Sequence, residues 1–163
     1  MTQSQINRLR TFRRKDDATV APLVDGLRVI LSSTFYLYYK AHAIHWNVEG
    51  EYFPQFHAYF GEVYETIHDA VDAVAEQIRA LGSKAPATIM LLTNQQPVDT
   101  MTDDDDCTVM ITSFCNDNER IIGLLKSLIP VAGQVGEPGA QNFLQDRLMY
   151  HQKLQWQITA TLK

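Results

Sequence analysis

Two histidines and two carboxylates stand where they could hold a metal ion. His45 and His57 are twelve residues apart; Asp72 and Glu76 are four apart. Imidazole nitrogen mixed with carboxylate oxygen suits iron, zinc or manganese better than a thiolate metal or calcium. Spacing decides how the four could meet. Asp72 and Glu76, at i and i+4, share one face of a helix. His57 precedes Asp72 on the same predicted helix by fifteen residues, which is about 22 Å at 1.5 Å per residue. One ion cannot take ligands across that gap. If all four residues serve one site, the imidazoles come from one copy of the chain and the carboxylates from another, across a symmetric dimer interface. The other reading is an ordinary histidine pair beside a solvated acidic face, and spacing alone leaves both open.

The elements that must position these groups are helices. Pro22 suits a first helical turn. From there to Val48 the residues Leu23, Leu27, Ile30, Leu31, Tyr38, Ala41 and Val48 recur at steps of three and four. His45 falls on the core-facing stripe of this helix, with His42 one turn earlier. Gly50 stops it and Pro54 opens the next, which carries Phe56, Phe60, Val63, Ile67, Val71, Val74 and Ile78 as far as Leu81. Gly82 and Pro86 prevent continuation. Residues 83–102 form a crossover, with one short helix at Ile89-Met90-Leu91-Leu92. Thr102 followed by Asp103, Asp104, Asp105 and Asp106 predicts a capped helix start with negative charge at the positive end of the dipole. The third long helix runs through Val109, Met110, Phe114, Ile121, Leu125 and Leu128 to Pro130. A glycine-rich link from Gly133 to Gly139 leads to a fourth, from about Ala140 to Leu162. The long crossover predicts that the second and third long helices run parallel.

Composition narrows the functional classes. The 163 residues are 45% hydrophobic, as in one globular domain with a real core. No apolar run is long enough to span a membrane, and Met1–Thr19 lacks the apolar segment of a secretory leader. Cys107 and Cys115 are eight residues apart on one predicted helix, too far to pair with each other, and free thiols fit a reducing cytoplasm. Residues 1–20 hold Arg8, Arg10, Arg13, Arg14 and Lys15 against Asp16 and Asp17, a net +3 that leaves −8 of the total −5 for the remainder. Such a tail is either a mobile solubilising arm or a nucleic-acid arm whose basic groups displace counterions from phosphate. The acidic remainder would repel DNA, whereas many tails on one assembly would add avidity.

Other groups read mostly as structure. Phe35, Tyr36, Tyr38 and Tyr39 are packing residues; tyrosines near a redox metal could also quench oxidising equivalents. Glu65-x-x-His68 is a di-iron half-motif that needs a second copy on another helix, and the chain has none, so both read as surface residues.

Several of these segments together resemble the Dps family of mini-ferritins. They are the box His45-Trp46-Asn47-Val48-x-Gly50 with Phe53 and His57 behind it, and Asp72-x-x-x-Glu76 followed by Ile78-Arg79-Ala80-Leu81-Gly82. Asp146-Arg147 and His151-Gln152-Lys153-Leu154-Gln155-Trp156 complete the set. The resemblance runs from about Pro22 onward. It implies an all-α, ferritin-like four-helix bundle over residues 21–163 behind a flexible tail of residues 1–20, with a short helix in the crossover between the second and third helices. It further implies a hollow homododecamer with ferroxidase centres between two-fold-related subunits. His45 and His57 would come from one subunit and Asp72 and Glu76 from its neighbour, serving as catalytic residues and metal ligands, with Trp46 packed beside them. Fe2+ would be oxidised to Fe3+, by hydrogen peroxide in preference to dioxygen, and stored in the cage. That would protect DNA from oxidative damage in the cytoplasm, or at the nucleoid if DNA is bound through the tail. The alternatives are a DNA-coating cage whose metal site is vestigial or filled by Zn2+, and a metal-free helical monomer.

Two departures from the family pattern stand out. Many members place a further carboxylate one turn after the second histidine; here that residue is Gly61, and Glu62 points about 100° away. The second iron position is then weak, completed by water, or absent. The aspartates that line three-fold pores in relatives are replaced by Glu137, Pro138, Gln141 and Asn142, which thins the acidic pore.

Overall fold

The computed structural model describes residues 18–93, 101–102 and 105–162. The basic side chains of residues 8–15 and Asp103 and Asp104 lie outside these. Among the described residues five helices follow one another: α1 (Ala21–Asn47), α2 (Phe53–Ala80), α3 (Ile89–Thr93), α4 (Cys107–Gln134) and α5 (Pro138–Thr161). No strand occurs among the described residues. None of the described helices is long and apolar enough to cross a membrane.

Prolines open three of the long helices. Pro22, Pro54 and Pro138 each sit at the first or second helical position, where a missing N–H costs nothing. Left-handed glycines close two. Past α2, Gly82 (φ 87°) donates to the Arg79 carbonyl and Ser83 to that of Ile78. Past α4, Gly136 (φ 74°) donates to Gly133 and Glu137 to Ala132. Both are the paired 5→2 and 6→1 bonds that satisfy the last free carbonyls of a helix.

Two boundaries differ from the sequence expectation. Helix α4 starts at Cys107 rather than after Thr102, because the capping oxygen is Asp106 Oδ1, which accepts from Val109 N at 2.9 Å. Val109 consequently faces solvent, 47% exposed, instead of joining the core. The same helix runs through Pro130 to Gln134. A proline forfeits one backbone bond, but Leu128 and Ala132 on either side are buried, and their packing carries the helix on to the Gly136 stop.

The bundle is two antiparallel hairpins, α1/α2 and α4/α5, joined chiefly by α1 against α4. Lys40 reaches Ser113 and Asp117, while Gly26 abuts Leu128, so α1 and α4 run in opposite directions. Helices α2 and α4 are therefore parallel, as the long crossover predicts. The core is filled by Leu23, Leu27 and Ile44 from α1, Phe60, Ile67 and Ile78 from α2, Phe114, Ile121 and Leu125 from α4, and Leu144 and Ile158 from α5. Phe60 and Phe114 meet edge to face at 5.5 Å, a favoured aromatic geometry.

Two buried polar clusters fix register. Lys40 Nζ donates to Asp117 Oδ2 and, at 2.9 Å, to Ser113 Oγ, and Arg120 donates to the other oxygen of Asp117 at 2.6 Å. A charge buried this deeply is tolerated only when paired, so the cluster sets α1 on α4. His151 Nδ1 donates to Asn118 Oδ1 at 2.7 Å, while Asn118 Nδ2 donates to Gln155 Oε1 and to the His151 carbonyl. Arg147 donates to His151 Nε2 at 3.2 Å. Burial, with the Arg147 charge assisting, pushes the His151 pKa down to about 3. The imidazole is neutral at ordinary pH and locks α5 onto α4.

Short helix α3 covers α1. Ser32 Oγ donates to the Leu92 carbonyl and Tyr36 OH to that of Thr93. Its apolar side chains Ile89, Met90 and Leu91 remain exposed. Cys107 is half-buried, Cys115 is buried, and both thiols are free.

Candidate metal centre

His45 lies in the last turn of α1 and His57 in the second turn of α2, brought together by the turn through Gly50 (φ 98°). The two rings stack at 3.8 Å with 20° between planes. Each imidazole is held by the other residue's backbone: His45 Nδ1 donates to the His57 carbonyl, and His57 Nδ1 to the His45 carbonyl, both at 2.7 Å. A carbonyl only accepts, so both Nδ1 atoms carry the hydrogen. The lone pair of each ring then sits on Nε2, the tautomer a metal ligand needs. The His45 carbonyl is among those left open at a helix end, so the His57 imidazole also closes α1. Metal–imidazole bonds of about 2.0–2.1 Å place two ligand nitrogens of one ion up to about 4 Å apart; the ring centroids of this pair are 3.8 Å apart.

The surroundings are aromatic. Phe53 lies along His57 at 5.1 Å, and Tyr64 presents its ring to His45 at 5.3 Å. Tyr64 also stacks on His42 at 4.0 Å, and the Trp46 ring lies 4.1 Å from His42, tilted by 41°. Burial first, then the nearby His45 and His68, pulls the His42 pKa below the usual range for histidine. Trp46, expected beside the ligands, touches His42 and Tyr39 instead and is 55% exposed. Gly61 sits directly against the pair: a Cβ there would be 3.5 Å from Cε1 and Nδ1 of His45.

Asp72 and Glu76 lie further along α2, both exposed. Their helix is unbroken from His57, so the separation of about 22 Å stands. Within one chain, the structure unites the histidines and leaves the carboxylates apart. Among the described residues, no three of His, Cys, Asp and Glu come close enough to hold an ion. Glu65 and His68 are exposed, as expected for surface residues, although His68 presents its ring to Tyr38 at 5.0 Å. The stack of Tyr64 on His42 was not anticipated from sequence. Its signal there is only that His42 lies one turn before His45 and Tyr64 two turns after His57.

Comparison with known proteins bears on this geometry. The ferritin-like domain family matches residues 24–163. The chain is 30% identical over 139 residues to the DNA protection during starvation protein of Halobacterium salinarum, covering 83% of this chain and 75% of that one. It is 28% identical over 127 residues to the protein of the same name from Brevibacillus brevis, covering 78% and 85%. Among solved structures, an archaeal Dps homologue from Halobacterium salinarum superposes with a TM-score of 0.86 at 26% identity, over 92% of this chain and 84% of that one. A Dps protein from Bacillus brevis gives 0.86 at 24% identity, over 91% and 100%.

Proposed function

This chain belongs to the Dps family of ferritin-like proteins, and from that premise we propose that it oxidises Fe(II) at centres shared by two subunits and stores the ferric product in a dodecameric cage. The observation that supports this best is the histidine pair. Its two Nδ1 atoms are tied to backbone carbonyls, and its two Nε2 lone pairs take no hydrogen bond among the described residues. The matching carboxylates, Asp72 and Glu76, are exposed on the same helix and out of reach except from a second copy.

In this reading Fe(II) is the substrate. His45 and His57 of one subunit hold it with the partner subunit's Asp72 and Glu76. Carboxylate oxygens favour the harder Fe(III), so the ligand set assists oxidation. Peroxide takes the electrons and is reduced to water, which removes a source of damaging radicals near DNA. Phe53 and Tyr64 flank the imidazoles and keep their orientation. The basic side chains Arg8, Arg10, Arg13, Arg14 and Lys15 would meet phosphate without reading sequence. The protein works in the cytoplasm.

The test combines His57→Ala with Asp72→Ala. Rapid peroxide-driven Fe(II) oxidation should vanish while the native mass stays that of the cage. Unchanged kinetics, or a monomeric native mass in the unaltered protein, would refute the reading. Metal content after exposure to Fe(II) separates it from a zinc-filled, DNA-coating cage. Deleting Met1–Lys15 should remove a gel shift seen at low salt; if the full chain gives no shift, the arm has no DNA role.

A further inference from the structure

We propose a second metal site one helical turn inward from the first, built from His42 of one subunit and the partner's His68, which takes Zn2+ or Cu2+. It rests on the two-fold dimer proposed above.

The argument is one of direction and distance. Helices α1 and α2 are antiparallel neighbours. A two-fold axis that sets His57 against the partner's Asp72 reverses the partner's α2, which then runs alongside α1 in the same direction. Stepping back from His45 to His42 on α1 moves about 4.5 Å; stepping back from Asp72 to His68 on the partner's α2 moves about 6 Å the same way. The axis that closes the first site therefore brings His42 level with the partner's His68 to within about 2 Å along the helices. The faces agree as well. At about 100° per residue, His57, His68 and Asp72 fall within an arc of about 60° on α2.

Both rings flank Tyr38, His42 at 5.8 Å and His68 at 5.0 Å. Tyr38 OH lies 3.4 Å from His42 Nδ1, and Asp69 Oδ1 lies 3.8 Å from His68 Nδ1. His68 is 64% exposed in the single chain; the interface would bury it. Residues about midway between His57 and Asp72 or Glu76, near Glu65, fall closest to the axis. The two symmetry-related Glu65 carboxylates then approach each other between two pairs of imidazoles. Like charges brought together out of water, beside unfilled nitrogen lone pairs, are costly. A divalent cation removes both penalties, and imidazole selects zinc or copper over magnesium or calcium.

The experiment uses the assembled protein carrying His57→Ala and Asp72→Ala, titrated with Zn2+ alone by calorimetry. About one Zn2+ per subunit is expected, and none when His68→Ala or His42→Ala is added. Co-expressing the His42→Ala and His68→Ala forms should restore about a quarter of the sites, since each mixed dimer keeps one intact pair. A pair built within one chain would restore none. Zinc uptake that survives His68→Ala overturns the proposal, as does co-expression without recovery. Neither result touches the iron reading, which is judged by peroxide-driven oxidation in the unaltered protein. A monomeric native mass would overturn both.

Discussion

Placing a carboxylate at position 61 tests whether a missing side chain limits the iron site. In Gly61→Asp the new Cβ would lie 3.5 Å from Cε1 and Nδ1 of His45, an ordinary van der Waals distance, so the stacked pair need not move. Asp and Gly differ by only about 0.3 kcal/mol in helix propensity, so the melting temperature should shift by no more than about 2 °C. The effect on metal should be larger. At about 4 Å and an effective dielectric of about 20, opposite unit charges attract by about 4 kcal/mol. Desolvation of the carboxylate cancels much of this. A net gain of about 1.4–2.7 kcal/mol, or 10- to 100-fold in affinity, is the expected scale. The assay is an anaerobic Fe(II) titration of the assembled cage, read as ions bound per subunit and as affinity. Tighter binding, with a further Fe(II) per subunit, is expected. If the variant assembles, melts as the parent does, and binds iron with unchanged affinity and stoichiometry, position 61 does not face the metal and the site has been wrongly built.

Three further predictions concern the scaffold. His151 has a folded pKa of about 3, below its unfolded value of about 6.5, so its contribution to stability is complete above pH 6.5 and is lost as pH falls toward 3. At about 1.4 kcal/mol per pH unit, the loss is about 3 kcal/mol between pH 6.5 and 4. Melting curves of His151→Asn should accordingly depend less on pH in that window, and parallel curves would contradict the assignment. Gly26→Ala would bring a Cβ to 2.3 Å from Leu128 Cδ1; destabilisation of about 1–3 kcal/mol is expected, measurable as a lower melting temperature. Lys40→Met would remove a cation paired with the buried Asp117 and should cost about 3 kcal/mol. Adding Asp117→Leu should recover part of that loss.

The helical fold was legible in the chain because it depends on periodicity. Apolar steps of three and four marked the first three long helices, and prolines and glycines marked most of their ends. The i, i+4 spacing of Asp72 and Glu76, set fifteen residues from His57 on one helix, already ruled out a site closed within one chain. Helix ends whose cause is non-local were not legible. Asp106 rather than Thr102 caps α4, and α4 passes Pro130 because Leu128 and Ala132 are packed on their neighbours. Buried polar partners such as Lys40 with Asp117, or His151 with Asn118, are equally invisible in one dimension, since each pair spans two helices. The same holds for the tautomer of His45 and His57. The chain supplied the two imidazoles, but only folding set each Nδ1 against the other's carbonyl and so put the lone pair of each ring on Nε2. Local composition selects which groups a helix can present; which of their atoms remain unused is decided by what the neighbouring helix brings within about 3 Å of them.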